Sequence, residues 1–108
     1  MKNVFSMDGV PGTTFTQTST NTSAALTAAS LLSDNGNRAI AALITCEDND
    51  VKFVFGTTPV SEGLGHTLGV GDSVMINNSG GLKSMRIISA VADSHGVLMI
   101  TPFFEPGR

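Results

Sequence analysis

The sequence feature that most constrains the fold is the stretch at residues 38–55, in which two apolar segments flank the acidic sequence EDND. The first segment has almost no polar residue, which is typical of a strand covered on both faces. In the second segment, Val51, Phe53 and Phe55 alternate with Lys52 and Val54, the period of a half-buried strand. Asp and Asn favour a turn between the segments because their side chains hydrogen-bond nearby backbone groups. We therefore predict a β-hairpin in which Phe53 and Phe55 are buried on one face.

The length of the chain and its shortage of charge bound the kind of protein it can be. With 108 residues, it is long enough for one domain with one core. Charged residues make up 14% of the sequence, against roughly 25% in an average soluble domain. A surface with so few charges must be built from Ser, Thr, Asn and Gly, or be covered by a partner.

Charge and residue usage argue against several function classes. The net charge is −3 and the six Lys and Arg residues are scattered, whereas nucleic-acid binding needs clustered cations. The single cysteine cannot form an intrachain disulfide. No apolar run has the length of a signal peptide or of a membrane span, so we expect synthesis in a cytoplasm. The absence of Trp and Tyr counts against a sugar-binding cleft lined by aromatic rings.

Residues 1–23 form a segment in which a few apolar residues interrupt a Ser- and Thr-rich sequence. For the Ser- and Thr-rich residues 13–30, one interpretation is a flexible low-complexity linker. The other is an extended arm along a sheet edge or along another subunit, since Thr favours extended backbone. We favour the arm and expect a neighbouring subunit to order it, because it is too short to bury its own apolar side chains. The apolar side chains that would anchor the arm are those of Val4, Phe5, Met7, Val10 and Phe15.

Residues 24–108 predict a single all-β domain. Residues 24–32 fit either a short helix or a strand with Leu26 and Ala28 inward. Residues 56–71 predict a long irregular loop, because glycines and a proline recur in it.

The last part of the chain predicts strands separated by short turns. Ile87 and Ile88 adjoin where we expect a bulge, and Pro102 should lie at a strand end or sheet edge because it lacks an amide proton. Strands at this spacing point to an antiparallel β-sandwich or a small barrel. The predicted elements are a strand at 73–77, a turn at 78–81, a strand at 82–92, a hairpin turn at 93–96 and a strand at 97–103.

No segment has the pattern of a cofactor or metal site. Gly63, Gly65 and Gly69 superficially match a dinucleotide-binding loop, but a strand is predicted after them, not the helix that would receive the pyrophosphate. The acidic turn at 47–50 lacks the later Glu of a calcium loop. We predict neither a cofactor nor a bound metal.

The candidate nucleophiles and bases are isolated from one another in the sequence. A Cys–His pair needs an exposed thiol beside the base, but Cys46 ends an apolar strand and is expected to be buried. We expect the His66 ring to be held by hydrogen bonds to loop backbone, and His95 to be solvated in a turn. No serine lies in a G-x-S-x-G motif. The protein is therefore not expected to be an enzyme.

A series of short motifs between residues 38 and 101 occurs in a distinctive order. The motifs are ALITCEDNDVKFVFG, TTPVSEGLGHTL, GVGDSVMI and LKSMRIISA, followed by VLMIT. The most specific steps are Gly65-His66, Gly71-Asp72-Ser73, and Arg86 with Ile88. In these motifs the chain resembles small structural proteins of tailed bacteriophages.

The resemblance implies a virion accessory protein, such as a head decoration or cement protein with a jelly-roll-like β-sandwich fold. It implies binding to the major capsid protein and to copies of itself, with a location in the virion after synthesis in the host cytoplasm. The alternatives are a tail, fibre or baseplate module and a domain that binds host-surface carbohydrate. The residues expected to contact partners are Val4, Phe5, Met7, Val10, Phe15, Phe103 and Phe104.

Overall fold

The structure is a computed structural model that describes residues 10–27, 31–32, 38–56 and 64–105. Within these ranges the chain forms two antiparallel sheets and one short helix, which confirms the prediction of an all-β protein. The first sheet contains β1 (Val10–Pro11), β2 (Phe15–Thr18), β4 (Ala41–Asp48), β7 (Ser73–Ile76) and β9 (Val97–Phe104). The second contains β3 (Ala24–Ala25), β5 (Val51–Phe55), β6 (His66–Leu68) and β8 (Met85–Ser89), and helix α1 spans Ser79–Ser84.

The long strand β9 lies inside the first sheet. β1 and β2 pair with one side of it, β4 pairs with the other side, and β7 follows β4. The second sheet has the order β3-β8-β5-β6. Because β2 and β3, β4 and β5, β6 and β7, and β8 and β9 belong to different sheets, the chain changes sheet at each of these connections.

Buried side chains from both sheets form one hydrophobic cluster. Ile44, Leu98 and Ile100 of the first sheet are fully buried, and Ile87 of the second sheet is 1% exposed. Burial of a side chain of this size contributes about 1.5–3 kcal/mol to stability. The cluster therefore joins the two sheets into one folded unit.

The hairpin predicted at residues 38–55 does not form, because its two strands exist but do not pair with each other. β4 pairs with β7 and β9, while β5 pairs with β6 and β8. Asn49 adopts a positive φ of 46° in the acidic turn, a conformation that Asn tolerates better than most residues. The turn forms as predicted, but it carries the chain from one sheet to the other.

The predicted burial on one face is confirmed in part for Phe53 and is wrong for Phe55. Phe53 is half-buried and packs against the core cluster, whereas Phe55 is 42% exposed. Val54, which alternation placed outside, is buried. Both faces of β5 are partly covered, so the period of two did not separate an inner from an outer face.

The segment after β7 departs from the predicted turn and strand. Residues 79–84 form α1, and the Asn78 side chain caps it by accepting a hydrogen bond from the Gly81 amide. Such a cap satisfies a helix amide that otherwise has no partner. β8 then runs in continuous register with β5, so no bulge occurs at Ile87 and Ile88.

Two further predictions about the C-terminal strands need correction. The turn predicted at 93–96 is found at 91–94, with Asp93 at a φ of 65°. It joins strands of different sheets and does not form the predicted hairpin. Pro102 lies within β9, which has strands on both sides, and not at an edge. The proline fits because pairing is interrupted between β1 and β2, where its carbonyl accepts a 2.7 Å hydrogen bond from the Gly12 amide.

The Thr-rich segment is an extended sheet strand of its own chain. Residues 10–11 and 15–18 pair with β9, and Phe15 packs against the core cluster. This confirms the sheet-edge interpretation for these residues, and a neighbouring subunit is not what orders them. Residues 1–9 lie outside the described part of the chain.

Two other expectations are settled in part. Within residues 24–27, Ala24–Ala25 is a strand and Leu26 is buried, while Ala28 lies outside the described residues. The loop predicted at 56–71 contains β6, so it is not irregular throughout; residues 57–63 are outside the description.

Candidate interaction surface

The outer face of the first sheet is a continuous surface of hydroxyl and thioether side chains. Successive strand residues point to opposite faces, so the neighbours of buried Ile44 and Ile100 point away from the core. Registers between β2, β9, β4 and β7 align these neighbours in two rows across the sheet. We call this surface the threonine–methionine face; it consists of Thr16, Leu43, Thr45, Ser73, Met75, Met99 and Thr101.

The threonine–methionine face contains no charged residue. In the strands of the first sheet, the only charged residues are Glu47 and Asp48, at the end of β4. The second sheet differs, because Lys52 and Arg86 lie in the middle of its strands. Covering the threonine–methionine face with a partner therefore requires no charge to lose its water, which is the most costly part of burying polar surface.

Hydroxyl pairs between neighbouring strands fix the polar part of this surface. Thr45 Oγ1 lies 2.8 Å from Ser73 Oγ, which links β4 to β7. Thr14 Oγ1 lies 2.7 Å from Thr101 Oγ1 at the other side. Between these pairs, Met99 is 40% exposed, and a thioether side chain adapts its shape to a partner better than a branched one.

The predicted partner-contact residues do not lie together. Val10 is 49% exposed at the edge of the first sheet, and Phe15 is half-buried against the core. Phe103 and Phe104 are buried within the chain, at 4% and 9% exposure, so their side chains offer little surface to a partner. The other three, Val4, Phe5 and Met7, lie outside the described residues.

Sequence reasoning missed Leu43, Met75 and Met99 as surface residues. The signal was present in β9, where Leu98 and Ile100 alternate with Met99 and Thr101. Reading that alternation identifies the inner and outer sides of the strand. The aligned residues of β4 and β7 become recognisable only once the register is known.

A buried polar cluster joins the connections at one end of the sheets. Ser19 Oγ and Ser89 Oγ are 2.9 Å apart, and His95 Nδ1 lies 3.3 Å from Ser89 Oγ. The arrangement superficially resembles a nucleophile with its base. However, Ser89 is fully buried, and Ser19 Oγ also accepts a 2.7 Å hydrogen bond from the Gly96 amide. These groups bind each other and hold the connections together, and they offer no accessible nucleophile.

The thiol of Cys46 is buried, as predicted. Its Sγ donates to the Asn49 carbonyl oxygen over 3.0 Å. Burial raises the pKa of Cys46 above its ordinary value of 9.0, and the nearby carboxylates of Asp50 and Asp48 raise it further. The thiolate, which is the reactive form, is therefore disfavoured.

His66 and His95 differ from their expected surroundings. The exposed His66 ring lies on Phe53, with ring centroids 5.5 Å apart, in strand β6, and so packs on an aromatic side chain. His95 is exposed as expected, but its ring also contacts Ser89. In the described ranges, no three His, Cys, Asp or Glu side chains are grouped closely enough to hold a metal ion.

The acidic turn and the glycine-rich segment contact each other. Asp50 Oδ1 accepts a 3.1 Å hydrogen bond from the Val70 amide, so this carboxylate stabilises a neighbouring turn. β6 lies between Gly65 and Gly69, and the element that follows Gly69 is the strand β7, close to the predicted strand at 73–77. Gly63 lies outside the described residues. None of the described helices has the length and hydropathy needed to cross a membrane.

Comparison with known proteins gives no relative: no family model, curated protein or solved structure matches this chain.

Proposed function

We propose that this chain is a structural protein of a phage virion, a capsid decoration or cement protein with a jelly-roll-like β-sandwich fold. In this role it binds the assembled head and bridges neighbouring copies of the major capsid protein. The observation that carries the proposal is the charge-free threonine–methionine face on the first sheet.

A flat, uncharged sheet face suits a permanent structural contact. Met99, Met75 and Leu43 supply apolar area, and burial of such area contributes roughly 25 cal/mol per Å². The hydroxyls of Thr45 and Ser73 already make one hydrogen bond to each other, so a partner that covers them has to accept only the one remaining hydroxyl proton.

Binding to a lattice explains how a protein without enzymatic chemistry would act. A ligand that binds only the assembled shell stabilises the assembly over its separate subunits, by mass action. The resemblance at residues 38–101 to small structural proteins of tailed phages supports the same role. The apolar residues Val4, Phe5 and Met7 would add a second point of attachment.

The copy number of the protein in purified particles tests this proposal. A cement protein contacts a repeating lattice, so quantitative mass spectrometry should find it at a copy number comparable with that of the major capsid protein. Heads separated from tails should retain it. A few copies per particle, recovered with the tails, would favour the tail, fibre or baseplate alternative, and absence from particles would overturn both.

One observation favours a carbohydrate-binding alternative. Phe55 is 42% exposed and meets Phe53 edge to face, with ring centroids 6.0 Å apart, and the His66 ring also packs on Phe53. Exposed rings are the usual platform for sugars. A glycan array with the wild type and Phe55→Ala tests this: binding that Phe55→Ala removes would support it, and no binding would reject it.

A further inference from the structure

The two ends of the sheets differ in the charge of their described residues. β4 begins near Arg38 and ends in the acidic turn, and the antiparallel registers place the turns at 69–72 and 90–96 at that same end. The described residues of these three turns contain no Lys or Arg. We call this the acidic end; its carboxylates are those of Glu47, Asp48, Asp50, Asp72 and Asp93.

An exposed apolar side chain projects from the acidic end. Val70 is 56% exposed, and backbone hydrogen bonds fix the turn that carries it. Its amide donates to Asp50 Oδ1 over 3.1 Å, and the next amide, of Gly71, donates to the Cys46 carbonyl over 2.8 Å. The Asp72 carbonyl accepts a 3.0 Å hydrogen bond from the Cys46 amide. Val70 is therefore held in place with carboxylates on either side.

The opposite end of the molecule contains an apolar cavity with cations at its rim. The cavity has a volume of about 210 Å³, and Leu26, Leu31 and Leu82 form its buried floor. Arg38 and Lys83 are exposed at its rim. Neither cation forms an ion pair with any of the described residues, and no carboxylate is among the described residues that line the cavity.

The cavity is large enough for the apolar protrusion, and the described charges at its rim are opposite in sign to those around Val70. A cavity of about 150 Å³ is large enough for benzene, so this one accepts the smaller isopropyl group of Val70. The carboxylates around Val70 would then face Arg38 and Lys83. Glu105 also lies at the cavity end. The positive charge at this end is therefore confined to the cavity rim, where Arg38 and Lys83 lie.

We propose that copies of this chain associate head to tail, with Val70 of one copy in the cavity of the next. The contact joins different surfaces of the two copies, so it forms a closed ring if the rotation between copies closes, and an open filament if it does not. The inference concerns self-association alone and does not depend on the virion role.

Two charge-reversal variants test this contact. An acid-reversed protein carries Glu47→Lys, Asp48→Lys and Asp72→Lys, and a base-reversed protein carries Arg38→Glu and Lys83→Glu. Sedimentation velocity at about 50 mM salt should find wild-type assemblies larger than a monomer, which dissociate at about 500 mM because salt screens exposed charges. Each variant alone should be monomeric at both salt concentrations, because its two ends repel.

Mixing the two variants is the decisive step. In the mixture each end meets an end of opposite charge, so complexes larger than either variant should reappear at low salt. Val70→Asp should weaken the affinity of self-association at least tenfold. The matched control is Leu64→Asp, at a 62% exposed residue beside the far edge of the second sheet, and its affinity should be unchanged. Circular dichroism melting establishes that each variant is folded.

Three results would overturn the inference. The first is a wild type that stays monomeric at low salt up to millimolar concentration. The second is a folded charge-reversed variant that associates as the wild type does. The third is a mixture of the two variants that contains only monomers.

Discussion

Ser19 and Ser89 place their hydroxyl oxygens 2.9 Å apart in the interior, and this contact links the two sheets at the end of the molecule that contains the β2–β3 and β8–β9 connections. Ser19 follows β2 of the first sheet, and Ser89 ends β8 of the second. The backbone supports the same link, because the Ser89 amide donates to the Thr20 carbonyl over 2.9 Å. Both side chains are almost completely buried, so each has to find its hydrogen bonds within the protein.

Replacement of Ser19 tests the importance of this cluster. Ser19→Ala leaves the buried Gly96 amide without the acceptor it has now, and should cost about 1–3 kcal/mol of unfolding free energy in urea titrations. Ser89→Ala should cost less, because Ser19 Oγ keeps its bond to Gly96. A double-mutant cycle should show coupling between the two serines, and additive effects would argue against the direct contact.

Ile44 in β4 and Phe55 in β5 differ in burial, so their replacement by alanine should affect stability differently. Ile44→Ala should cost about 2–5 kcal/mol, because it removes a fully buried side chain from the cluster. Phe55→Ala should cost only about 1 kcal/mol, since the ring is 42% exposed and the change removes mainly its edge-to-face contact with Phe53. Urea unfolding of both variants checks the pair; a larger cost for Phe55→Ala would restore the inward orientation that the sequence predicts.

Gly96 is a position where the packing requires glycine. A Cβ atom there would lie 2.4 Å from Val51 Cγ2 and 2.6 Å from the Asn49 carbonyl oxygen. Gly96→Ala should therefore destabilise the protein by about 1–3 kcal/mol. The matched control is Gly80→Ala in α1, where a Cβ has no contact closer than 3.5 Å; the stability of this variant should stay equal or rise, because alanine favours helix. Equal stability of both variants in thermal melts would contradict the packing at this corner.

The buried thiol predicts how stability depends on alkaline pH. Burial raises the pKa of Cys46 in the folded state above the value of 9.0 that applies when the chain is unfolded. The folded protein then holds its proton more tightly, so this contribution is present below pH 9.0 and is lost as the pH rises through the folded-state pKa. Above pH 9.0, the stability of the wild type should therefore fall more steeply with pH than that of Cys46→Ala, which has no thiol. Thermal melts across an alkaline pH series measure this difference. Parallel pH curves for the two proteins would contradict the prediction.

The sequence predicted where strands lie better than which strands pair. β4, β5, β7 and β9 occur close to their predicted positions because alternation and turn residues act locally. Partner choice is not local: nothing in the EDND turn says whether the chain returns along the same sheet or crosses to the other. The crossing becomes evident only from Val51, which packs in the core cluster beside residues of the first sheet.

The same distinction explains the candidate site. The apolar residues that the sequence selected as partner contacts include Phe103 and Phe104, which the fold buries. Hydrophobic character alone cannot separate a core residue from a contact residue. The threonine–methionine face was hidden because its members are far apart in sequence and meet only through the registers of β9 with β4 and β2.

The most direct test of the proposed virion role is the binding of two lysine variants to purified phage particles prepared without this protein. Met99→Lys places a charge in the centre of the threonine–methionine face, and Thr67→Lys places the same charge on an exposed position of β6 in the second sheet. Desolvating a lysine that has no partner is costly, so Met99→Lys should weaken binding at least tenfold while both proteins melt at similar temperatures. Thr67→Lys should bind as the wild type does. Full occupancy of the particles by a folded Met99→Lys protein would contradict the account, because the face would then not be the contact.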